Sequence, residues 1–213
     1  MIIDINFVGL IIASIMASAV PLILASCGEL ITERSGVLNL GVEGMMIIGA
    51  ISGFALMTVT GSLIIAVFGA MLAGVLISTI FAFLTQTLIT NHVATGLALT
   101  IFGIGLSSMI GKEFIGTPIT GLNPYFFVIL SFVIVFIVSY FFYKTKLGLI
   151  FRAVGESHDS SHALGYSVIK IRLLGILFGG SMCALAGSYM SICYAPMWQE
   201  NMTAGRGWIA LAL

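Results

Sequence analysis

The chain has 213 residues, of which 60% are hydrophobic and 8% are charged, and its formal net charge is zero. Soluble domains carry about 25% charged residues, so this composition excludes an ordinary soluble domain and indicates a membrane protein. A zero net charge gives no bulk electrostatic field that would favour nucleic acid as a partner. The three cysteines have no CxxC spacing, so neither a zinc site nor a disulfide framework is indicated.

Apolar runs between the charged residues predict six membrane-spanning helices, since a helix needs about 20 apolar residues to cross the hydrocarbon core. The run 44–111 contains no Asp, Glu, Lys or Arg and is divided by Gly61-Ser62 and by residues 90–92. A final apolar run, 208–213, is too short to cross. We therefore predict an all-α polytopic transmembrane helical bundle with six complete spans plus the start of a seventh. The predicted spans are 6–27, 39–60, 63–88, 93–111, 124–142 and 173–195. Residues 1–213 are expected to form one transmembrane domain, the N-terminal part of a longer one.

The basic residues predict how the chain is oriented in the membrane. The positive-inside rule places the connection 143–172 in the cytoplasm, because it holds five of the eight basic residues. Counting back through five spans puts Arg34 inside, Lys112 outside and the N-terminus outside. We expect a multi-pass protein of the cell membrane, in contact with lipid.

The segment 28–46, GELITERSGVLNLGVEGMM, places charged residues between two uncharged runs. If the second helix starts at Asn39, it is long enough to cross, and Glu43 then lies in the membrane on the same face as Asn39. A charged side chain at this depth costs a few kcal/mol and usually faces a cavity or a partner. We hypothesise that Asn39 and Glu43 face a polar path through the membrane or brace its wall, with Ser35-Gly36 as a break before the helix. Alternatively, Glu43 caps backbone groups or pairs with Arg34 near the interface.

Asn91 is a second candidate for such a path. It lies with Gln86 and His92 at the predicted inner end of a span. These polar residues are also compatible with a simple interfacial stop.

The connection 143–172 predicts a short helical elbow. Gly155 can end one helix, Ser157 can cap the next, and Asp159 suits a first helical turn. His158 and His162 are four residues apart, but no third His or Cys lies nearby, so we predict no metal site. A docking helix explains the segment better.

The sequence FRAVGESHDSSHALGYSV, residues 151–168, resembles the cytoplasmic coupling segment of ABC transporter permeases of the branched-chain amino acid, simple-sugar and nucleoside class. The pattern of that segment is roughly RAVGENPxAAxxxGI. Six residues match it, whereas Ser157 and His158 replace the usual Asn and Pro, so the helix start lacks its rigid proline. The matching residues are Arg152, Ala153, Val154, Gly155, Glu156 and Gly165.

Three further stretches, 28–46, 91–108 and 200–212, are similar in family order to the shorter permease subunit of nucleoside-type importers. The resemblance implies a permease that forms the translocation path for nucleosides or simple sugars. It also implies three partners: a second permease subunit in a homo- or heterodimer, a cytoplasmic ABC ATPase and an extracellular substrate-binding protein. Finally, it implies an ATPase-coupling role for six residues, namely Arg152, Gly155, Glu156, Ser157, Asp159 and Gly165.

The chain has no GxxxxGK[ST] phosphate-binding loop, so ATP is expected to be used by a partner subunit. We predict neither an enzyme nor a bound cofactor. Two other functions stay open: a secondary transporter or channel in which Glu43 is the coupling acid, and a non-transporting scaffold. Neither needs a docking elbow at 143–172, so that segment distinguishes them from an ABC permease.

Overall fold

The computed structural model of the protein describes residues 5–121 and 123–213, with side chains from residue 8 onward. The predicted outside location of the N-terminus falls on residues 1–4, which lie outside this description. Within the described ranges the chain is built from helices: α1 (Ile5–Arg34), α2 (Val42–Thr60), α3 (Leu63–Ala82), α4 (His92–Gly111), α5 (Tyr125–Lys144), α6 (Lys146–Glu156), α7 (His158–Ala163), α8 (Val168–Tyr189) and α9 (Arg206–Ala212). Single π-helical turns extend α3 and α8, at Phe83–Thr87 and Met190–Tyr194.

Six helices are long and apolar enough to cross a membrane, namely α1, α2, α3, α4, α5 and α8. This confirms the predicted all-α bundle with six spans. Among the described residues, β-structure is limited to two isolated bridges, which join Ile115 to Trp198 and Pro118 to Met197.

Three predicted boundaries were wrong. The first helix continues past residue 27 to Arg34, because residues 29–34 contain no Gly or Pro, and the first break is Gly36 with φ of +84°. The second helix begins at Val42 rather than 39, because the Asn39 side chain accepts a hydrogen bond from the Gly41 N–H and closes a turn there. The last long helix begins at Val168 rather than 173, so Arg172 lies inside it.

Helix α8 is the central helix, and its small residues allow three neighbours to approach it closely. Gly179 lies against Gly28 of α1, where an added Cβ would come within 3.2 Å of the Gly28 carbonyl oxygen. Gly180 faces Ser78 of α3, and Gly187 faces the backbone of α2 at Met46. Gly179, Gly180 and Gly187 of α8 are therefore used for packing within this chain.

The chain after α8 folds back into the bundle instead of leaving it. The amide of Ile119 donates to the carbonyl oxygen of Pro196 at 3.0 Å, which holds the start of this segment near the end of α4. Trp198 is only 1% exposed and packs on Gly111 of α4. The segment then continues inward to α9, so α9 begins inside the bundle.

Candidate functional site

The carboxylate of Glu43 lies in the interior, at the start of α2, and is 2% exposed. Its Oε1 accepts hydrogen bonds from the Thr203 hydroxyl at 2.5 Å and from the Gly205 amide at 2.8 Å. Its Oε2 accepts from the Gly207 amide at 2.6 Å. Helix α9 has no capping side chain of its own, so Glu43 supplies the acceptors that its first amides need.

The contacts of its neighbours place Glu43 well inside the helical bundle, away from the ends of α1 and α4. Gly44 packs on Thr100 of α4, eight residues after α4 begins, which is about 12 Å along that helix. The Ser26 hydroxyl of α1 donates to the Ala210 carbonyl of α9 at 3.0 Å, and Ser26 lies about 12 Å before the end of α1. Two helix N-termini, those of α2 and α9, therefore meet at Glu43 inside the bundle.

Residues 35–41 connect α1 to this buried start of α2 without forming a helix. The amide of Asn39 donates to Glu29 Oε1 at 3.1 Å, and the Asn39 side chain accepts from the Gly41 amide at 2.9 Å. The Leu40 carbonyl accepts from the Thr100 hydroxyl at 3.2 Å. These bonds satisfy a non-helical backbone that lies among helices.

Glu29 is a buried acid that the sequence-based site did not include. It is 2% exposed, and its Oε2 has no hydrogen-bond partner within the described part of the chain. Sequence reasoning placed Glu29 in a loop because the first span was ended at residue 27. The absence of Gly and Pro between Glu29 and Arg34 was the signal that could have placed it on α1.

Asn39 and Glu43 are both buried near the start of α2, but Asn39 precedes that helix instead of sharing a helix face with Glu43, and Asn91 lies apart from both. Asn91 is exposed at the start of α4, and its Oδ1 accepts from the amides of Val93 at 2.9 Å and Ala94 at 3.2 Å. It is the N-cap of α4. Arg34 lies at the end of α1 and lines a separate cavity, so it is not the partner of Glu43.

The connection 143–172 forms the predicted elbow of two short helices, α6 and α7. Thr145 caps α6 by accepting from the Gly148 amide at 3.0 Å. Ser157 caps α7 by accepting from the Ser160 amide at 3.3 Å, which confirms its predicted capping position. Gly165 ends α7 with φ of +87°, a conformation that favours glycine.

The elbow is fixed to the end of α1. An added Cβ on Gly155 would overlap the Arg34 carbonyl oxygen and come within 3.2 Å of the Gly36 amide nitrogen, so only glycine fits there. Arg172 Nε donates to the Ser35 carbonyl oxygen at 3.3 Å. The elbow is therefore packed directly against residues 34–36, where the non-helical connection to α2 begins.

The outer face of the elbow carries acids next to apolar side chains. Glu156 and Asp159 are exposed, and the Asp159 side chain lies 3.3 Å from His158 Nε2. Leu164 and Tyr166 follow, with exposed fractions of 75% and 41%. Across the described residues, no group of three His, Cys, Asp or Glu side chains could hold a metal ion. The elbow thus exposes two acids beside two large apolar side chains.

These features define a multi-pass α-helical membrane protein with a buried carboxylate between two helix N-termini and a structured elbow at one end. Residues 11–213 match the family described as the permease component of the branched-chain amino acid transport system. The match covers nearly the whole chain, and the chain belongs to this family of ABC transporter permeases.

Individual relatives are named for sugar and nucleoside transport. A provisionally assigned glucose ABC transporter permease protein of Haloferax volcanii is 37% identical over 160 aligned residues, covering 64% of this chain and 49% of the relative. A guanosine ABC transporter permease protein of Bacillus subtilis is 29% identical, covering 57% of this chain and 43% of the relative. A nucleoside ABC transporter permease protein of Lactococcus lactis is 30% identical, covering 39% of this chain and 26% of the relative.

The chain spans about half the length of the first of these relatives. No solved structure matches the chain at a significant level.

Proposed function

We propose that this chain is the membrane-spanning permease subunit of an ATP-binding cassette importer, and that it forms part of the path for nucleosides or simple sugars. The elbow carries the proposal, because Gly155 fits closely against the end of α1 while Glu156 and Asp159 remain exposed to a partner. The family match and the names of the relatives support it.

In this proposal a separate cytoplasmic ATPase binds the exposed face of the elbow through Glu156 and Asp159. Arg152, Gly155, Ser157 and Gly165 hold the elbow in the shape and position that docking requires. Closure of the ATPase pushes the elbow against residues 34–36 of α1. The non-helical connection 35–41 passes that movement to the start of α2, and hence to Glu43 and α9.

Asn39 and Glu43 brace the wall of the path where the N-termini of α2 and α9 meet, and Asn91 lies at its inner end. The positive-inside rule supports a cytoplasmic elbow and an outside N-terminus, since Arg34 and the basic residues of the elbow lie at the same end of the bundle. The other partners are a second permease subunit and an extracellular substrate-binding protein. ATP is hydrolysed by the ATPase and not by this chain.

The family match does not favour the secondary transporter or channel in which Glu43 is a coupling acid. The geometry supports a fixed role for this residue instead, because both of its oxygens accept hydrogen bonds from the α9 segment.

We predict that reversing the charges of the elbow weakens the substrate stimulation of ATP hydrolysis by the partner ATPase. In the assembled transporter, Glu156→Lys combined with Asp159→Lys should lower substrate-stimulated ATP hydrolysis at least about tenfold, because like charges across an interface cost ~1.4 kcal/mol or more. Hydrolysis is measured in nanodiscs with the binding protein present. Glu113→Lys is the matched control, since Glu113 is also exposed but follows α4 at the opposite end. Unchanged stimulation in a correctly assembled double variant would refute the proposed docking surface.

We predict that nucleosides or simple sugars are the transported class, because relatives are named for guanosine, nucleosides and glucose. Uptake by cells that express the complete transporter should be inhibited by members of a panel of nucleosides, pentoses and glucose. Leucine is the control competitor, because the family description names branched-chain amino acids. Inhibition by leucine without inhibition by any nucleoside or sugar would overturn the substrate class while leaving the coupling proposal standing.

A further inference from the structure

A cavity of about 340 Å³ opens between α1, α5 and α6, at the end of the bundle that carries the elbow. Leu30 of α1 and Val135 and Val138 of α5 form its apolar part. Arg34 at the end of α1 and Arg152 of α6 also line it. The cavity is therefore apolar toward the middle of the membrane and cationic at the membrane surface.

The cavity follows the helices over a distance that suits a lipid chain. Its lining on α1 extends from Cys27 to Arg34, and its lining on α5 from Val135 to Tyr143. At 1.5 Å per residue these stretches are about 10 Å and about 12 Å long. A ligand that fills the groove is therefore about 10–12 Å long in total, with an apolar part beside Leu30 and an anionic group beside Arg34.

The two arginines have no carboxylate to neutralise them. The cavity lining includes no acid, and the one ion pair found among the described residues joins His158 to Asp159. Arg152 Nε is buried without a hydrogen-bond partner in that same part of the chain, and an unsatisfied buried donor is costly. The Arg152 guanidinium lies 5.8 Å from the centre of the Tyr143 ring, which orients it toward the groove.

The acid nearest to Arg34 in the sequence does not line the cavity. Glu33 precedes Arg34 but lines a different surface depression, with Gly36, Val37 and Leu38. The hydroxyl groups of Ser139 and Tyr143 line the cavity and can donate hydrogen bonds. The polar end of the groove is thus made of cations and donors, which suits a phosphate.

We propose that this groove binds an anionic phospholipid, with the phosphate between Arg34 and Arg152 and one acyl chain along Leu30, Val135 and Val138. Basic pockets between membrane helices at the membrane surface bind anionic lipid head groups. A free phosphate leaves the apolar half of the groove unfilled, and a zwitterionic lipid places a cation beside the arginines. The groove is therefore selective for a lipid with net negative charge.

The test uses the complete purified transporter in nanodiscs of mixed phosphatidylcholine and phosphatidylglycerol. Native mass spectrometry of the released complex should show phosphatidylglycerol retained in preference to phosphatidylcholine. A basic residue contributes about 1 kcal/mol to binding an anionic membrane surface, a factor of about five. Arg34→Gln and Arg152→Gln should therefore each weaken retention about five-fold, and the double variant about 25-fold. Lys170→Gln is the matched control, because Lys170 is exposed and absent from the cavity lining.

Correct assembly of each variant is checked by its elution and thermal unfolding. The pair Arg34→Lys and Arg152→Lys keeps both charges and should retain most of the lipid, so loss of charge is distinguished from loss of fold. Equal retention by wild type and the double glutamine variant would overturn the site. If inorganic phosphate displaces the lipid, the groove is a site for a soluble anion and the proposed lipid site is overturned. A photo-crosslinker at position 143 that captures a polypeptide instead of lipid would also overturn it.

Discussion

Replacing Glu43 with glutamine is expected to lower the free energy of unfolding by about 2–4 kcal/mol and to reduce uptake strongly. The amide keeps one acceptor oxygen but loses the charge that strengthens three hydrogen bonds, and it turns an NH2 group toward an amide donor of α9. Unfolding is followed by thermal denaturation of the purified complex, and uptake by transport of a labelled substrate from the competition panel.

Two variants with smaller expected effects serve as comparisons for this result. Thr203→Val removes one of the three donors and should cost about 1 kcal/mol. Glu33→Gln changes an exposed acid in the same segment, and its effect should stay within about 0.5 kcal/mol. If Glu43→Gln behaves like Glu33→Gln in both measurements, Glu43 neither lines nor braces the path.

Replacing Gly187 with alanine is expected to destabilise the fold by about 3 kcal/mol or more. The added Cβ would overlap the Met46 carbonyl oxygen and lie 2.9 Å from the Ala50 amide nitrogen. Because these are backbone atoms of α2, the contact is relieved only if the two helices separate, which also disturbs the hydrogen bond from the Ser191 hydroxyl to the Ala50 carbonyl. The measurement is the thermal unfolding of the purified complex.

Gly105→Ala is the matched control for this prediction. Gly105 lies on an exposed face of α4, and an added Cβ there meets nothing within 4 Å. Alanine should leave stability unchanged or raise it by up to about 1 kcal/mol, through its higher helix propensity. Equal stability of the two alanine variants would show that α2 and α8 do not pack as described.

The sequence alone was sufficient for the spans and for the local structure of the elbow. Apolar runs of membrane-crossing length predict helices because the backbone has no other way to satisfy its hydrogen bonds in lipid. The position of Ser157 followed from a short-range rule, since a cap depends on residues within a turn. The expectation that Gly155 ends a helix was wrong, because α6 continues through it to Glu156. Charged residues were less reliable for predicting where a helix ends. The first span was predicted to end before Glu29 and the last to begin after Arg172, but α1 and α8 include these residues.

The candidate site was only half predictable. The burial of Glu43 followed from the length that α2 needs, but its partners did not, because Thr203 lies 160 residues later in the chain. Nothing near residue 43 indicates that the segment after α8 folds back into the bundle. The small residues of α8 can be seen in the sequence, whereas their division among α1, α2 and α3 is a property of the whole bundle.

That long separation between Glu43 and its donors also affects how the protein is made. At about 5–20 residues per second, the ribosome needs on the order of ten to thirty seconds to synthesise the 160 residues between Glu43 and Thr203. Throughout this interval the groups that donate hydrogen bonds to Glu43 have not yet been synthesised, and its charge costs a few kcal/mol in hydrocarbon. We therefore expect helix α2 to reach its final depth late, after the helices that follow it have entered the membrane, so that insertion of this bundle does not proceed strictly in chain order.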